Sequence, residues 1–225
     1  MEQAFKNISA CQLMDCGCMD YKQTYAIQKK CVEETLQGAD PTIMICEHPL
    51  VLTMGRLSKE ENILCSQDTL QKRNIEVIRV DRGGQVTLHA PGQMMVYPIL
   101  DLRKYKKDLK YYFRILEQVG IDLLNCFDIL GSRLSGKTGV FVGDKKLISI
   151  GIGIRKWISF HGMAINVNTD LELFSMIKPC GLDVSMTSMS QIKQRQIHMS
   201  EVKTRLIDCF CRRFGLVIQQ EVGVK

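Results

Sequence analysis

The chain has 225 residues, 45% apolar and 24% charged, enough for one large domain with a real core; a disordered tail, a collagen-like repeat and a coiled coil are excluded. Thirty basic residues against 24 acidic leave +6, a mild excess that suits an acidic protein partner or an anionic small molecule. It is not the dense basic stripe of a nucleic-acid binder, and the longest apolar stretches are far too short to span a bilayer.

The opening MEQAFKNISA lacks a basic start followed by an apolar run and is not Arg-rich, so neither a secretory signal nor a transit peptide is expected, and the expected location is cytoplasmic. A helix is predicted over residues 21–36, with Ala26, Ile27, Cys31 and Leu36 as its buried stripe. Two short strands follow at 42–46 and 51–54, joined at Glu47-His48-Pro49. Residues 75–80 and 85–89 alternate apolar and polar on either side of Gly83-Gly84, and 94–100 reads as another strand. Apolar residues at spacings of three and four predict a helix over 109–127. Strands are expected at 140–142, 147–154 and 163–167, with a turn at Gly143-Asp144. A last helix, capped by Ser200, has Val202, Leu206, Ile207, Phe210 and Phe214 on one face and stops at Gly215. Strands fill the middle and helices lie outside them, which predicts a mixed α/β (α+β) fold: one domain over 1–225 with a largely antiparallel or mixed central sheet flanked by helices.

Ten cysteines raise the question of disulfides or zinc. A chain of this size needs no staples, and reduced thiols are the better reading. Neither Cys16-Gly-Cys18 nor Cys209-Phe-Cys211 has a C-x2-C knuckle, and the four histidines stand at no finger spacing, so no metal site is expected. Cys46 and Cys126 read as small core residues, and Cys16 and Cys18 as reduced surface thiols. Cys180 differs, because Pro179-Cys180-Gly181 holds a thiol on bent backbone that a substrate can approach.

The least ordinary stretch is Asp81-Arg82-Gly83-Gly84-Gln85-Val86-Thr87-Leu88-His89-Ala90-Pro91-Gly92-Gln93. Paired glycines let backbone approach a ligand, Arg82 supplies a fixed charge and His89 can donate or accept. No Gly-Lys-Ser/Thr follows these glycines at P-loop spacing, so it is no P-loop. Taken alone, a generic R-G-G is better read as a hairpin with a surface arginine and a histidine that is merely hydrogen-bonded.

The full string resembles the glycine-rich segment of lipoate-protein octanoyltransferases, R-G-G-x-x-T-x-H-G-P-G-Q. The resemblance continues through Glu47-His48-Pro49 and Thr53-Met54-Gly55-Arg56, then Tyr97-Pro98-Ile99-Leu100-Asp101-Leu102. It extends to Gly139-Val140-Phe141-Val142 with Lys145-Lys146-Leu147-Ile148-Ser149-Ile150-Gly151, to His161-Gly162-Met163-Ala164-Ile165-Asn166-Val167 and to Pro179-Cys180-Gly181, all in the family's order. Ala90 stands where the family has Gly, and Phe141 where it has Trp. Were φ positive at position 90, the alanine would be strained.

The resemblance implies the biotin/lipoate-protein ligase fold and transfer of an octanoyl group from octanoyl-acyl carrier protein to a lysine of apo-lipoyl domains. Those domains belong to the E2 subunits of 2-oxoacid dehydrogenases and to the glycine cleavage H protein. It implies Cys180 as the acyl-thioester nucleophile and Lys146 as the group that stabilises its thiolate and moves protons. Residues Arg82, Gly83, Gly84, Gln85, Val86, Thr87, Leu88 and His89, with Ser149, Ile150, Gly151, Gly162, Met163 and Ala164, would line the acyl pocket. A glycine with small neighbours in each of the last two segments would suit backbone close to a linear acyl chain, Gly151 and Gly153 marking a strand bulge as the alternative, and His161 would position backbone or substrate. No cofactor, metal or nucleotide is implied. The rivals are an ATP-dependent lipoate- or biotin-protein ligase and a lipoyl amidotransferase of the same fold, or a non-catalytic module that holds acyl carrier protein. The ligase needs no cysteine nucleophile, and the module has no reason to keep Cys180 or Lys146.

Overall fold

The computed structural model describes residues 9–178 and 184–223. Eleven strands occur among them: β1 (Ser9–Cys18), β2 (Thr42–Glu47), β3 (Val51–Met54), β4 (Glu76–Arg79), β5 (Val86–His89), β6 (Gln93–Ile99), β7 (Ser132–Leu134), β8 (Lys137–Val142), β9 (Lys145–Arg155), β10 (Ile158–Asn166) and β11 (Leu216–Gly223). The α-helices are α1 (Tyr21–Leu36), α2 (Gln67–Lys72), α3 (Leu109–Asn125), α4 (Met189–Lys193) and α5 (Met199–Phe214). The larger sheet runs β11-β1-β2-β6-β10-β9-β8-β7, and the smaller β4-β3-β5. From β2 to β7 neighbouring strands are antiparallel, whereas β11, β1 and β2 are mutually parallel, so the sheet is mixed.

β2 and β6 explain why both faces are covered. Ile43 and Ile45 of β2, and Met94 and Val96 of β6, point into a core formed with α3 and α5. Met44, Cys46, Met95 and Tyr97 point to the opposite core, closed by Cys31 and Val32 of α1. Strands buried on both sides read as unbroken apolar runs, because alternation then has no solvent face to mark.

α1 has the predicted bounds but a different buried stripe. Tyr21, Thr24, Gln28, Cys31, Val32 and Thr35 face inward, while Ala26 is exposed and Ile27 and Leu36 are half-buried. Two of the polar residues there find partners: Thr24 donates to the Tyr21 carbonyl (2.9 Å), and the Gln28 carbonyl oxygen accepts the His161 backbone N–H (2.8 Å), while the Gln28 amide nitrogen is buried without a partner among the described residues.

α5 begins two residues earlier than predicted, with His198 as its N-cap and Ser200 inside its first turn, where the hydroxyl no longer flanks the free N–H groups. Gly215, in the left-handed region at φ 62°, ends it as expected. Cys126 is exposed, not core: as the residue capping α3 it projects off the helix end, its thiol donating to the Asp122 carbonyl. Cys16 is buried against Cys46 and Cys31, and only Cys18 of that pair is a surface thiol. No helix among the described residues is long and apolar enough to cross a membrane.

Candidate active site

A cavity of about 430 Å³ opens at Leu57, Phe113 and residues 136–138, and reaches inward to Tyr21, Met95 and Tyr97. Residues 82–87, His89, Lys146, 149–151, His161 and 162–164 all line it. Leu88 does not. Its side chain packs instead with Leu52, Met54, Ala90 and Phe174 in the core of the smaller sheet. Cys180 lies outside the described residues.

Gly151 and Gly162 line the cavity, and their bareness also serves the packing of the backbone. A Cβ on Gly162 would stand 2.2 Å from the Val96 carbonyl oxygen of the neighbouring strand. One on Gly151 would meet the Gly83 carbonyl oxygen at 3.3 Å and Arg82 Cδ at 3.2 Å, just where the Gly83 N–H donates to Ile152 (2.8 Å). Their bareness lets β6 and the 82–84 loop press onto β10 and β9. Ala90 is not in the positive-φ region and carries no strain.

Lys146 and Lys145 separate cleanly. Lys145 is exposed, whereas Lys146 is 5% exposed and lines the cavity, its ammonium 5.3 Å from the centroid of the Phe141 ring. Its backbone is clamped from both sides: its N–H donates to Ser185 O (2.8 Å), and its carbonyl accepts from Thr187 N (2.9 Å). Val184 and Met186, in the same stretch, also line the cavity.

A directional chain of hydrogen bonds joins the glycine-rich segment to that clamp. Arg82 Nη2 donates to Thr53 O (2.8 Å) and Oγ1 (2.9 Å), and the Thr53 hydroxyl faces His89 Nε2 at 3.4 Å. Gln93 spends its amide N–H on Asn166 Oδ1 (2.8 Å), so its oxygen must accept from His89 Nδ1 (2.8 Å). Asn166 then donates to Thr187 O (3.0 Å). Glu47 fixes the turn between β5 and β6 by accepting the Gly92 N–H (2.7 Å).

On the α1 side, His161 Nε2 stands 2.9 Å from Asp81 Oδ1, which also accepts from Tyr25 OH (2.6 Å). A carboxylate only accepts, so Nε2 carries the proton and Nδ1 is left to accept from Tyr21 OH (3.4 Å). Phe160 and His161 are consecutive, yet both rings face α1. Strand alternation forbids that unless the backbone reverses, and His161 has φ 53°. The Gln28 acceptor holds it there, a strained histidine of the kind found at functional sites.

Burial lowers the pKa of His48 and His161 below the ordinary imidazole value and that of His89 well below it. Asp81 is pulled down to about 2, first by the hydrogen bond from His161. Because His161 itself is shifted towards neutrality, the pair is an imidazole donating to a carboxylate, not an ion pair. Below about pH 6.5 the unfolded chain binds protons that the folded histidines refuse. Stability therefore falls as pH drops through that range, with a limiting slope of about 1.4 kcal/mol per pH unit for each histidine. The contribution of Asp81 is present above the usual carboxylate range and is lost only as pH falls through about 2, outside that window. Denaturant melts at pH 7.5 and 5.5 are expected to show this loss in the wild type and a smaller one in His48→Gln. Equal losses would exclude a share for His48.

Sequence reasoning missed Asp81, Tyr21, Met95, Tyr97, Phe113, Leu57, Val184 and Met186 as site residues. Asp81 and Tyr97 lay inside quoted motifs and could have been weighed. The others carry no local signal. The nine cysteines among the described residues are free thiols, and no cluster of three or more His, Cys, Asp or Glu among those residues is placed to hold a metal.

The chain matches the family model for the lipoyl protein ligase A/B catalytic domain over residues 20–211. An octanoyltransferase of Syntrophotalea carbinolica is 41% identical over 198 residues, covering 87% of this chain and 90% of its own. One of Solibacter usitatus is 41% identical over 205 residues, covering 91% and 93%. Among solved structures, a lipoate-protein ligase A bound with ATP superposes with a TM-score of 0.79 at 16% identity, covering 97% of this chain and 90% of that one. A biotin protein ligase of Aquifex aeolicus superposes with 0.51 at 13%, covering 90% and 68%. At such identities the structural likeness concerns the fold alone.

Proposed function

Because the chain belongs to the lipoyl protein ligase A/B catalytic family and transfers octanoyl groups in protein lipoylation, as its curated relatives do, we propose that it works through a Cys180 thioester, as one catalytic domain, in the cytoplasm. The Cys180 thiolate attacks the carbonyl of an octanoyl thioester on acyl carrier protein. The donor's C–S bond breaks, and the carrier sulfur leaves as a thiol with the proton of the Lys146 ammonium, which becomes a neutral amine. The ε-amine of a lipoyl-domain lysine then attacks the acyl-enzyme, an amide forms, and Cys180 departs as thiolate. Lipoyl domains are the acceptors; among them we include those of 2-oxoacid dehydrogenase E2 subunits and the glycine cleavage H protein.

A thiol with an ordinary pKa near 8.5 is only a few per cent ionised at pH 7, so a cation beside it raises the reactive fraction. Lys146 is our candidate for that cation, and in the second step its amine takes the proton released by the acceptor lysine. The observation that carries the reading is the pairing of residues 185–187, shortly after Cys180, with the backbone of buried Lys146, while Val184 and Met186 line the same cavity. The acidic donor is favoured by the rim: Lys110 and Arg114 are exposed on the face of α3 that sends Phe113 to the cavity, Lys137 lines the cavity at the start of β8, and exposed Arg56 precedes Leu57.

Incubation with octanoyl-acyl carrier protein, without ATP, is expected to add one octanoyl group (about 126 Da by composition of the acyl group) to the wild type. Cys180→Ser should show no thioester. An apo-lipoyl domain should then discharge the adduct. If the protein stays unmodified and the lipoyl domain is acylated only from free acid plus ATP, the ligase chemistry replaces this reading.

A further inference from the structure

We infer that Met95 sets the acyl-chain length, acting as a deformable plug between two tethered tyrosines at the inner end of the cavity. The inference rests on octanoyl transfer and not on the identity of the donor. The acceptor lysine belongs to another protein, and that protein cannot enter the cavity. The reacting carbonyl therefore lies towards the mouth, where Leu57 is 68% exposed, and the hydrocarbon tail points inward. Inward, the cavity ends on Met95 and Tyr97 of β6, an interior strand of the eight-stranded sheet, with Tyr21 of α1 beside them; each is at most 3% exposed.

The two tyrosines cannot yield. Tyr97 OH donates to His48 Nε2 (2.7 Å), and His48 Nδ1–H donates onward to the Met19 carbonyl (2.6 Å). Tyr21 OH is engaged by His161, and its ring stacks on His89 with centroids 5.6 Å apart. Swinging either ring aside would orphan buried polar groups, a loss that few ligands can offset.

Met95 has no such tether. Its side chain is unbranched and rotates about three bonds, so it fits whatever space the chain end leaves. Its cross-strand partners are Cys46 on β2 and Ala164 on β10. Cross-strand pairs share one face of a sheet, so this row across three strands reads small, large, small. Ala164 lines the cavity too. Removing the Met95 side chain would leave a trough that neither neighbour can fill, while enlarging it would shorten the cavity.

The test measures transfer to an apo-lipoyl domain from hexanoyl, octanoyl and decanoyl thioesters of acyl carrier protein by wild type, Met95→Ala and Met95→Phe. Met95→Ala should raise the decanoyl-to-octanoyl ratio of kcat/KM on the order of tenfold, as expected for two newly buried methylenes. Met95→Phe should move preference the other way, towards hexanoyl. Misfolding cannot shift preference in opposite directions, so the pair separates selectivity from stability. Ratios unchanged in both variants would overturn the inference. If the wild type accepts no thioester, the donor reading fails on its own, and calorimetry with the three free acids decides the wall by the same comparison: a shift of preference towards decanoic acid in Met95→Ala supports it, and an unchanged order overturns it.

Discussion

Lys146→Met is expected to slow acyl-enzyme formation by roughly 10²–10⁴-fold, the range associated with loss of a positioned proton-transfer group. Methionine keeps a chain of similar length beside Phe141 and leaves the backbone bonds to Ser185 and Thr187 in place, so the fold should survive. What disappears is the cation. A nucleophilic thiol deprived of it reverts towards its ordinary ionisation near pH 8.5, so the pH–rate profile of the variant should rise towards alkaline pH where the wild type has already levelled. Lys145→Met changes an exposed side chain and should stay within about twofold of wild type, as surface substitutions usually do. Single-turnover mass spectrometry at several pH values reads both variants. Equal rates for wild type and Lys146→Met would remove Lys146 from the mechanism.

Gly162→Ala should cost about 2–3 kcal/mol. An added methyl would be driven against the Val96 carbonyl oxygen at 2.2 Å and Pro98 Cδ at 2.7 Å, both on a neighbouring strand of the same sheet that cannot retreat without breaking register. For a chain of this size the expected fall in Tm is about 4–12 °C. Activity should fall as well, because β10 would move outward together with His161, Met163 and Ala164. Calorimetry under the same buffer for both proteins checks the stability, and wild-type Tm in the variant would show that the strands separate more easily than the geometry allows.

Much of the fold was legible because its signals are local. The turns of α3 and α5 advertise themselves at spacings of three and four, α1 shows itself by helix composition though not by its buried stripe, and β3 carries its own bounds. β1 and β11 were not seen. Ser9–Cys18 buries Cys11, Leu13 and Cys16 without regular alternation, and its parallel partners lie far away in the chain. Parallel pairing leaves no hairpin turn to read. Tertiary contacts also decided which polar groups could be buried. Gln28 looks like a solvent-facing helix residue until the His161 N–H is placed opposite it.

The site divides in the same way. Arg82, His89, Lys146 and the residues around 150 and 163 were found through a resemblance over contiguous strings, and the folded chain gathers them round one cavity. Asp81 and His161 meet across 80 positions, and Tyr21 joins them from a third element, so no string contains the arrangement. The reversal at His161 was invisible for a further reason: positive φ is anticipated at glycine or asparagine, not at histidine in a strand. Leu88 shows the converse error. A motif written as an unbroken string invites the belief that all its side chains share one task, whereas this one faces the core.

The parallel seam of β1 with β11 bears on how the molecule is made. Ser9 pairs with Leu216, and almost the whole described chain lies between them. On the ribosome, β1 can join β2 early, but its outer edge must wait, with open N–H and C=O groups, until β11 has emerged. Synthesis thus carries a long interval in which a half-finished sheet offers a free edge to any passing strand. A stalled or prematurely terminated chain would keep that edge open, which makes aggregation of truncated products, and recruitment of chaperones to nascent ones, the expected biosynthetic cost of closing the sheet with its most distant segment.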